Sequence, residues 1–245
     1  MSVFEELESK TLKTKYGNVF YRINNQGDDT LILIHGLGAS SKSWIRFVEY
    51  LPKNFRLILP DLLGHGDSEA PNINYHVIYQ KEIIEEIIKK ESITTYSLMG
   101  HSYGGWVASI LAINNQNIKK LILEDAGGLK NFFEVVVGTD KREKYKKDLL
   151  AKALMINANE HVLKSIINDE FSSSQLTEED LSKISSKTLI LWGENDTTIE
   201  KKFAYVFKEY IKNSEVSIIK NSKHTSHYSN PEETAHIVNN FLLDK

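Results

Sequence analysis

The chain has 245 residues, of which 41% are hydrophobic, and it carries a formal net charge of −3 at neutral pH. This length and apolar content are sufficient for the core of one large α/β domain. The small net charge gives no electrostatic reason to expect nucleic acid or an anionic membrane as a partner. Because cysteine is absent, disulfides, thiol catalysis and zinc–thiolate sites are excluded.

The beginning of the chain carries no targeting signal that we recognise. Residues 1–8 are acidic and lack the basic-then-apolar order of a signal peptide. No apolar run approaches the length needed to span a membrane. We therefore expect a soluble, cytoplasmic protein with no membrane span.

The first half of the chain predicts strands separated by turns and one helix. Residues 8–24 are typical of two strands joined at 17–18. Residues 30–34 and 56–61 are apolar without alternation, which indicates strands buried on both faces of a parallel sheet. Between them, residues 41–51 are compatible with a helix.

The clearest helix is predicted over residues 75–91, where isoleucines recur at helical spacing on one face. Buried strands and helices then alternate to the end of the chain, with strands at 119–125, 188–193 and 215–219 and helices at 199–212 and 231–243. Such alternation predicts an α/β fold, with a mostly parallel central sheet covered by helices on both faces.

One stretch interrupts this alternation. Residues 127–184 contain no buried-strand pattern, but they include an apolar patch at 132–137 and a basic, helix-compatible segment at 140–156. We interpret them as a helical cap inserted into an α/β core formed by residues 1–126 and 185–245. The cap is expected to wall an apolar pocket.

The sequence Gly100-His101-Ser102-Tyr103-Gly104 lies between a buried strand and a helix-compatible segment. This G-x-S-x-G spacing is the nucleophile-elbow pattern, in which a serine is exposed at a sharp strand-to-helix turn. The two glycines allow the strand and the helix to approach without a Cβ clash. The pattern predicts that Ser102 is a nucleophile.

A serine hydroxyl needs a base to attack, and that base needs an orienting acid. Asp196 and His224 each follow a predicted strand, so they are expected at the same edge of the sheet as Ser102. Asp125 also follows a strand, and His227 lies three residues after His224. They remain the alternative acid and the alternative base.

Several motifs together resemble the α/β-hydrolase fold family, in particular its serine esterase and lipase branch. They are His35-Gly36-Leu37-Gly38, Trp44, Pro60-Asp61, Gly64-His65-Gly66-x-Ser68, Gly100-x-Ser102-x-Gly104-Gly105, Trp192-Gly193-x-x-Asp196, and His224 followed by Pro231.

The resemblance implies a catalytic triad of Ser102, Asp196 and His224 and an oxyanion hole formed by the backbone N–H groups of Leu37 and Tyr103. Some family members take the acid from the strand that here ends at Asp125. Lys223 departs from the glycine that is usual before the histidine.

Other kinds of site receive little support. His224 and His227 lack the helical spacing and the carboxylate partner of a zinc site. The glycines form neither a dinucleotide fingerprint nor a Walker motif. We therefore predict no metal and no cofactor. His35 is interpreted as a residue that organises its loop, and His65, His76, His161 and His236 as solvated or structural.

These observations predict a serine hydrolase that cleaves small to medium carboxylic esters through an acyl-enzyme. Carbon–carbon bond hydrolysis, prolyl aminopeptidase, thioesterase and acyltransferase chemistry would use the same triad, and a slow-turnover ligand receptor would also retain it. The natural substrate, the acyl length, the stereopreference and the oligomeric state do not follow from the sequence.

Overall fold

The computed structural model describes residues 2–130, 144–151, 159–169 and 174–244. Within these ranges, eight strands form one sheet in the order β1-β2-β4-β3-β5-β6-β7-β8. The strands are β1 (Glu8–Thr14), β2 (Gly17–Ile23), β3 (Asp29–Ile34), β4 (Phe55–Pro60), β5 (Tyr96–His101), β6 (Ile118–Glu124), β7 (Lys187–Gly193) and β8 (Ser214–Ile219).

The sheet is mostly parallel, as predicted. Strands β3 to β8 are parallel to their neighbours, while β1 and β2 form an antiparallel hairpin that joins the sheet through β4. The carboxyl ends of β5, β6 and β7 therefore meet at one edge. Ligands of open α/β sheets bind at that edge.

Helices cover both faces of the sheet, which confirms the predicted architecture. They are α1 (Val77–Lys90), α2 (Tyr103–Ala112), α3 (Glu160–Asp169), α4 (Glu178–Ser182), α5 (Lys202–Tyr210), α6 (Ser226–Ser229) and α7 (Pro231–Leu242). Alternate residues of β3 serve two separate apolar cores: Ile32 packs in the core with α1, α2 and α5, and Leu33 packs in the core with α7. The strand lacks polar alternation because both of its faces are buried.

Two local predictions are wrong. The β1–β2 turn lies at residues 15–16, because Thr14 pairs with Gly17 in the hairpin register. The Thr14 hydroxyl closes this turn by accepting the N–H of Tyr16 at 3.1 Å and donating to the carbonyl of Gly17 at 2.8 Å. The hydrophobic pattern predicted both strands but not the residues of the turn between them.

The second error concerns residues 41–51, which form two short 3₁₀ turns, Ser41–Trp44 and Val48–Tyr50, and not one helix. The N–H of Ser41 donates to the Asp61 carboxylate at 2.6 Å, so a side chain from the loop after β4 fixes the first turn. Trp44 and Val48 are both buried. Their spacing fits two successive turns as well as one continuous helix.

The segment between β6 and β7 contains helices and packs on the core through α3, whose Val162 and Ile166 are buried. Residues 144–151 are helical, in agreement with part of the helix predicted at 140–156. The apolar patch at 132–137 lies outside the described residues. The cap function of this insertion stays a prediction. None of the helices in the described ranges combines the length and apolarity needed to cross a bilayer.

Candidate active site

Ser102 lies at the turn between β5 and α2 with φ 53° and ψ −114°, a backbone conformation that is uncommon for a residue with a side chain. The two flanking positions must be glycine, because neither has room for a Cβ atom. A Cβ on Gly100 would lie 2.3 Å from the carbonyl oxygen of Gly104, and one on Gly104 would lie 2.3 Å from that of Ile34. Backbone atoms cannot move aside, so strand and helix approach this closely only without side chains at the two positions.

The backbone of Ser102 is held on both sides. Its N–H donates to the carbonyl of Glu124 at the end of β6 at 2.9 Å, and its carbonyl accepts the N–H of Gly127 at 3.0 Å. These bonds hold the strained turn against the neighbouring strand. Surrounding structure of this kind is what maintains an unfavourable φ/ψ combination.

The structure brings Ser102, His224 and Asp196 together in a hydrogen-bonded chain. Ser102 Oγ lies 2.9 Å from His224 Nε2, and His224 Nδ1 lies 2.7 Å from Asp196 Oδ2. A carboxylate can only accept, so Nδ1 carries the imidazole proton and Nε2 accepts from the serine hydroxyl. This is the tautomer that a general base needs.

Asp196 is built to remain ionised. Its side chain is fully buried, and burial alone would raise the pKa of Asp196. The hydrogen bond and charge of His224 outweigh that effect, with help from the N–H groups of Thr198 and Ile199, which donate to Oδ1 at 2.7 and 3.1 Å. The pKa of Asp196 is therefore lowered.

Asp125, the alternative acid, lies close to this chain but has a different partner. Its Oδ1 accepts the N–H of Gly193 at 2.9 Å. Burial and the nearby carboxylates of Glu124 and Asp196 raise the pKa of Asp125 well above its usual value. A carboxyl group that holds its proton is a poor partner for an imidazolium.

His227, the alternative base, points to another acid. Its Nδ1 lies 2.8 Å from Glu124 Oε2, and its ring is buried and packs against Trp44 at 4.1 Å between centroids. Lys223, the departure from the expected glycine, has no positive φ. Its backbone conformation therefore needs no glycine, and its side chain is exposed.

With this geometry described, comparison with known proteins gives the family. A family model described as alpha/beta hydrolase fold matches residues 29–150, which include the elbow and the loop after β3. The mostly parallel, eight-stranded sheet agrees with that match. The chain belongs to the α/β-hydrolase fold family.

The relatives of this α/β hydrolase include lipases and esterases. Monoacylglycerol lipase abhd6-A of Xenopus laevis is 24% identical over 272 residues, covering 94% of this chain and 81% of the relative. An esterase from Exiguobacterium antarcticum superposes with a TM-score of 0.86 at 20% identity, covering 96% of this chain and all of that one. The likeness to the esterase structure shows the fold, and the lipase relative supports ester hydrolysis at a coarse level.

A further structural neighbour shows that the fold alone does not identify the reaction of this α/β hydrolase. A meta-cleavage product hydrolase from Pseudomonas fluorescens IP01 superposes with a TM-score of 0.77 at 19% identity, over 96% of this chain and 97% of its own. The names of these neighbours describe different substrates on one fold. The reaction must therefore be argued from the site.

The loop that follows β3 lies beside the nucleophile. A Cβ on Gly36 would lie 3.3 Å from Cβ of Ser102, so the backbone that leads to Leu37 passes directly next to the serine. His35 anchors this loop. Its Nε2 accepts the N–H of Leu62 at 3.0 Å, Nδ1 lies 2.8 Å from the carbonyl of Gly36, and burial lowers the pKa of His35 to about 4. The neutral ring organises the loop, as the sequence predicted.

Two residues of this site, His101 and Glu124, were not predicted from the sequence. His101 Nε2 lies 2.5 Å from the carbonyl oxygen of His224, and Glu124 binds His227 while its carbonyl accepts from Ser102. A signal for Glu124 was present: it is a charged residue directly after the buried apolar run at residues 121–123 of β6. The other predicted structural histidines include His65, which is buried, and burial lowers its pKa to about 3.

One group of side chains within the described ranges has ligand atoms close enough to consider for a metal ion. Ligand atoms of His101, Asp125 and His224 lie within 4.8 Å of one another. Both ring nitrogens of His224 already contact Ser102 and Asp196. A metal bound there would have to displace one of those contacts, so the arrangement favours proton transfer over metal binding.

Proposed function

We propose that this α/β hydrolase cleaves small to medium carboxylic esters through an acyl-enzyme, with Ser102 as nucleophile, His224 as general base and acid, and Asp196 as the orienting carboxylate. The observation that carries the proposal is the position of His224 between the other two residues. One ring nitrogen contacts the Ser102 hydroxyl at 2.9 Å and the other contacts a carboxylate at 2.7 Å.

The first half of the reaction follows from these contacts. Ser102 Oγ attacks the ester carbonyl as its proton passes to His224 Nε2, and the imidazolium is stabilised by ionised Asp196. The developing oxyanion accepts hydrogen bonds from the backbone N–H groups of Leu37 and Tyr103. Tyr103 is the first residue of α2, where the helix dipole also favours negative charge.

The second half reverses the proton transfers. The tetrahedral intermediate collapses as His224 gives its proton to the departing alcohol, which leaves the acyl group on Ser102. Water then attacks this ester while His224 removes its proton, and the acid product leaves. The residues named supply every proton transfer, so the proposed reaction requires no cofactor.

The choice of ester substrates rests on the site together with the relatives. The abhd6-A relative, which covers most of this chain, is named as a monoacylglycerol lipase. We propose a carboxylic ester of small to medium length as the substrate class, with monoacylglycerols as natural members of a test panel.

The test is substitution of the nucleophile. Ser102→Ala should lower the turnover of p-nitrophenyl esters and of a monoacylglycerol by several orders of magnitude, about 10⁶ where a triad serine was removed in a protease. A fluorophosphonate should add one adduct mass to wild type and none to the variant. The matched control is Ser182→Ala, which removes an exposed hydroxyl on α4.

Equal ester hydrolysis by wild type and Ser102→Ala would refute the mechanism. A wild type that reacts stoichiometrically with the fluorophosphonate but turns over no ester in the panel would instead favour the receptor alternative.

A further inference from the structure

The position of His224 presents a physical problem, because the residue lies on a loop and not on a strand or helix. The loop follows β8, and its position decides whether the imidazole reaches both Ser102 and Asp196. On the acid side, the loop is bound by the N–H of Asn195, which donates to the carbonyl of Ser222 at 2.8 Å. On the serine side, the contacts come from a separate buried group.

That group consists of His101, Glu124 and His227. His101 and Glu124 end the neighbouring strands β5 and β6 and face each other in the sheet register. His101 Nε2 donates to the carbonyl oxygen of His224 at 2.5 Å. The two oxygens of Glu124 accept the backbone N–H and the Nδ1–H of His227, each at 2.8 Å.

Glu124 binds the nucleophile as well as the histidine loop. Its backbone carbonyl accepts the N–H of Ser102 at 2.9 Å while its side chain binds His227. Glu124, at the end of a central strand, therefore sets the distance between the serine turn and α6, the short helix that begins two residues after His224. The separation of Ser102 Oγ and His224 Nε2 depends on that distance.

The environment of the group makes it rigid. His227 is 1% exposed and its ring lies between Trp44, at 4.1 Å, and His101, at 4.8 Å between centroids. Burial would raise the pKa of Glu124, but the charge and hydrogen bonds of His227 lower it, so the carboxylate stays ionised. A buried carboxylate bound to an imidazole is an expensive way to stabilise a fold, since well-packed apolar residues would serve as well.

We propose that Glu124 and His227 are positioning residues for His224: together with the hydrogen bond from His101, they hold the general base at hydrogen-bond distance from Ser102. The inference rests on the proposed function. Because His224 acts in the chemical steps, a displaced loop should lower kcat and leave KM nearly unchanged. Such a displacement is costly, since about 1 Å at a reacting group can cost about 10²-fold in rate.

The experiment compares two substitutions of His227 that differ in one donor. His227→Asn keeps an N–H near the position of Nδ1, and His227→Leu removes it. We expect His227→Leu to lower kcat per active site, counted by fluorophosphonate titration, by about 10²-fold, and His227→Asn by less than about tenfold. KM for a p-nitrophenyl ester should stay within about threefold in both.

Two further variants keep the test decisive. Glu124→Gln keeps the shape of the side chain but removes its charge, and it should lower kcat by roughly tenfold. If His227→Leu does not fold, Glu124→Gln is measured in its place. Asp169→Asn is the matched control, because Asp169 is also a buried carboxylate that binds a histidine, His76, but it lies on α3. It should lower the melting temperature without changing kcat per active site.

The proposal is wrong if folded His227→Leu and Glu124→Gln both keep kcat per titrated site within about twofold of wild type. The group would then only support the fold. Failure of the proposed function would have a different result, since wild type itself would not react with the fluorophosphonate, or Ser102→Ala would still hydrolyse esters.

Discussion

Two acid–histidine pairs lie next to each other at the carboxyl edge of the sheet, Asp196 with His224 and Glu124 with His227. In both pairs the carboxylate binds Nδ1, at 2.7 and 2.8 Å respectively. The two pairs differ in the residues that surround each imidazole ring on the side away from Nδ1. His224 is partly exposed and contacts Ser102, whereas His227 is enclosed by Trp44 and His101.

A third pair extends the comparison. Asp169 binds His76 Nδ1 at 2.7 Å and the N–H of Val77 at 2.8 Å, at the start of α1. Here the carboxylate is buried and the imidazole is 44% exposed, and among the residues that the structure describes its side-chain partner is Asp169 and not a nucleophile. A carboxylate–imidazole pair could therefore take part in the proposed reaction, hold the segment after His224 in the proposed position, or attach a helix. The surroundings of the second ring nitrogen determine which role is possible.

The largest loss of turnover should follow from substitution of Asp196, the acid of the first pair. Asp196→Asn removes the ionised acceptor of His224 Nδ1–H and permits the wrong tautomer. In a serine protease the equivalent exchange costs about 10⁴ in turnover. We expect a loss of that order in kcat on one good ester, with the protein still folded. Asp125→Asn is the control and should lose much less. The reverse ranking would assign the acid to Asp125.

A smaller effect, on stability and not on turnover, is expected for the third pair. Asp169→Asn keeps one acceptor but loses the charge at the start of α1 and one of the two contacts with His76 and Val77. Leaving a buried polar group unsatisfied costs about 1–3 kcal/mol, and urea denaturation should show a loss in that range. A fall in kcat per active site with no change in the free energy of unfolding would contradict the structural role.

The last expected effect is a change in stability that depends on pH, for Asp125→Asn, whose loss of turnover should be much smaller than that of Asp196→Asn. Because the pKa of Asp125 is raised in the folded protein, the folded state holds a proton that the unfolded state releases above its pKa of about 3.9. The protonated Asp125 carboxyl therefore contributes its full stabilisation below that pH. This contribution is lost as the pH rises toward the pKa of Asp125 in the folded protein.

Asparagine has no proton to release, so Asp125→Asn should gain stability relative to wild type as the pH rises from about 4 toward neutrality. Urea denaturation of the two proteins at several pH values measures this difference. A difference in the free energy of unfolding that stays constant with pH would show that Asp125 is ionised in the folded state.

The local sequence contained enough information for the central strands, for α1 and for the elbow. Non-alternating apolar runs required strands buried on both faces, and β3 shows this directly, with neighbouring residues in two different cores. The glycines around Ser102 are fixed by backbone contacts within a few ångströms. The turn near Gly17 and the two 3₁₀ turns after Ser40 were predicted incorrectly, because side-chain hydrogen bonds set them and hydrophobic periodicity does not record such bonds.

The partners of the charged residues were decided only by the tertiary structure. The sequence placed Asp125, Asp196, His224 and His227 after strands, and so at one edge of the sheet, but it did not single out Glu124 at the end of β6. It could not say which carboxylate meets which imidazole, because such pairing depends on shifts of a few ångströms between residues that lie about 30 to 100 positions apart. Burial raises the pKa of both Asp125 and Asp196, but the hydrogen bond and charge of His224 reverse this effect at Asp196, so the pKa values of the two carboxyl groups shift in opposite directions. A group's neighbours in space determine its charge, and only the packed sheet brings those neighbours together.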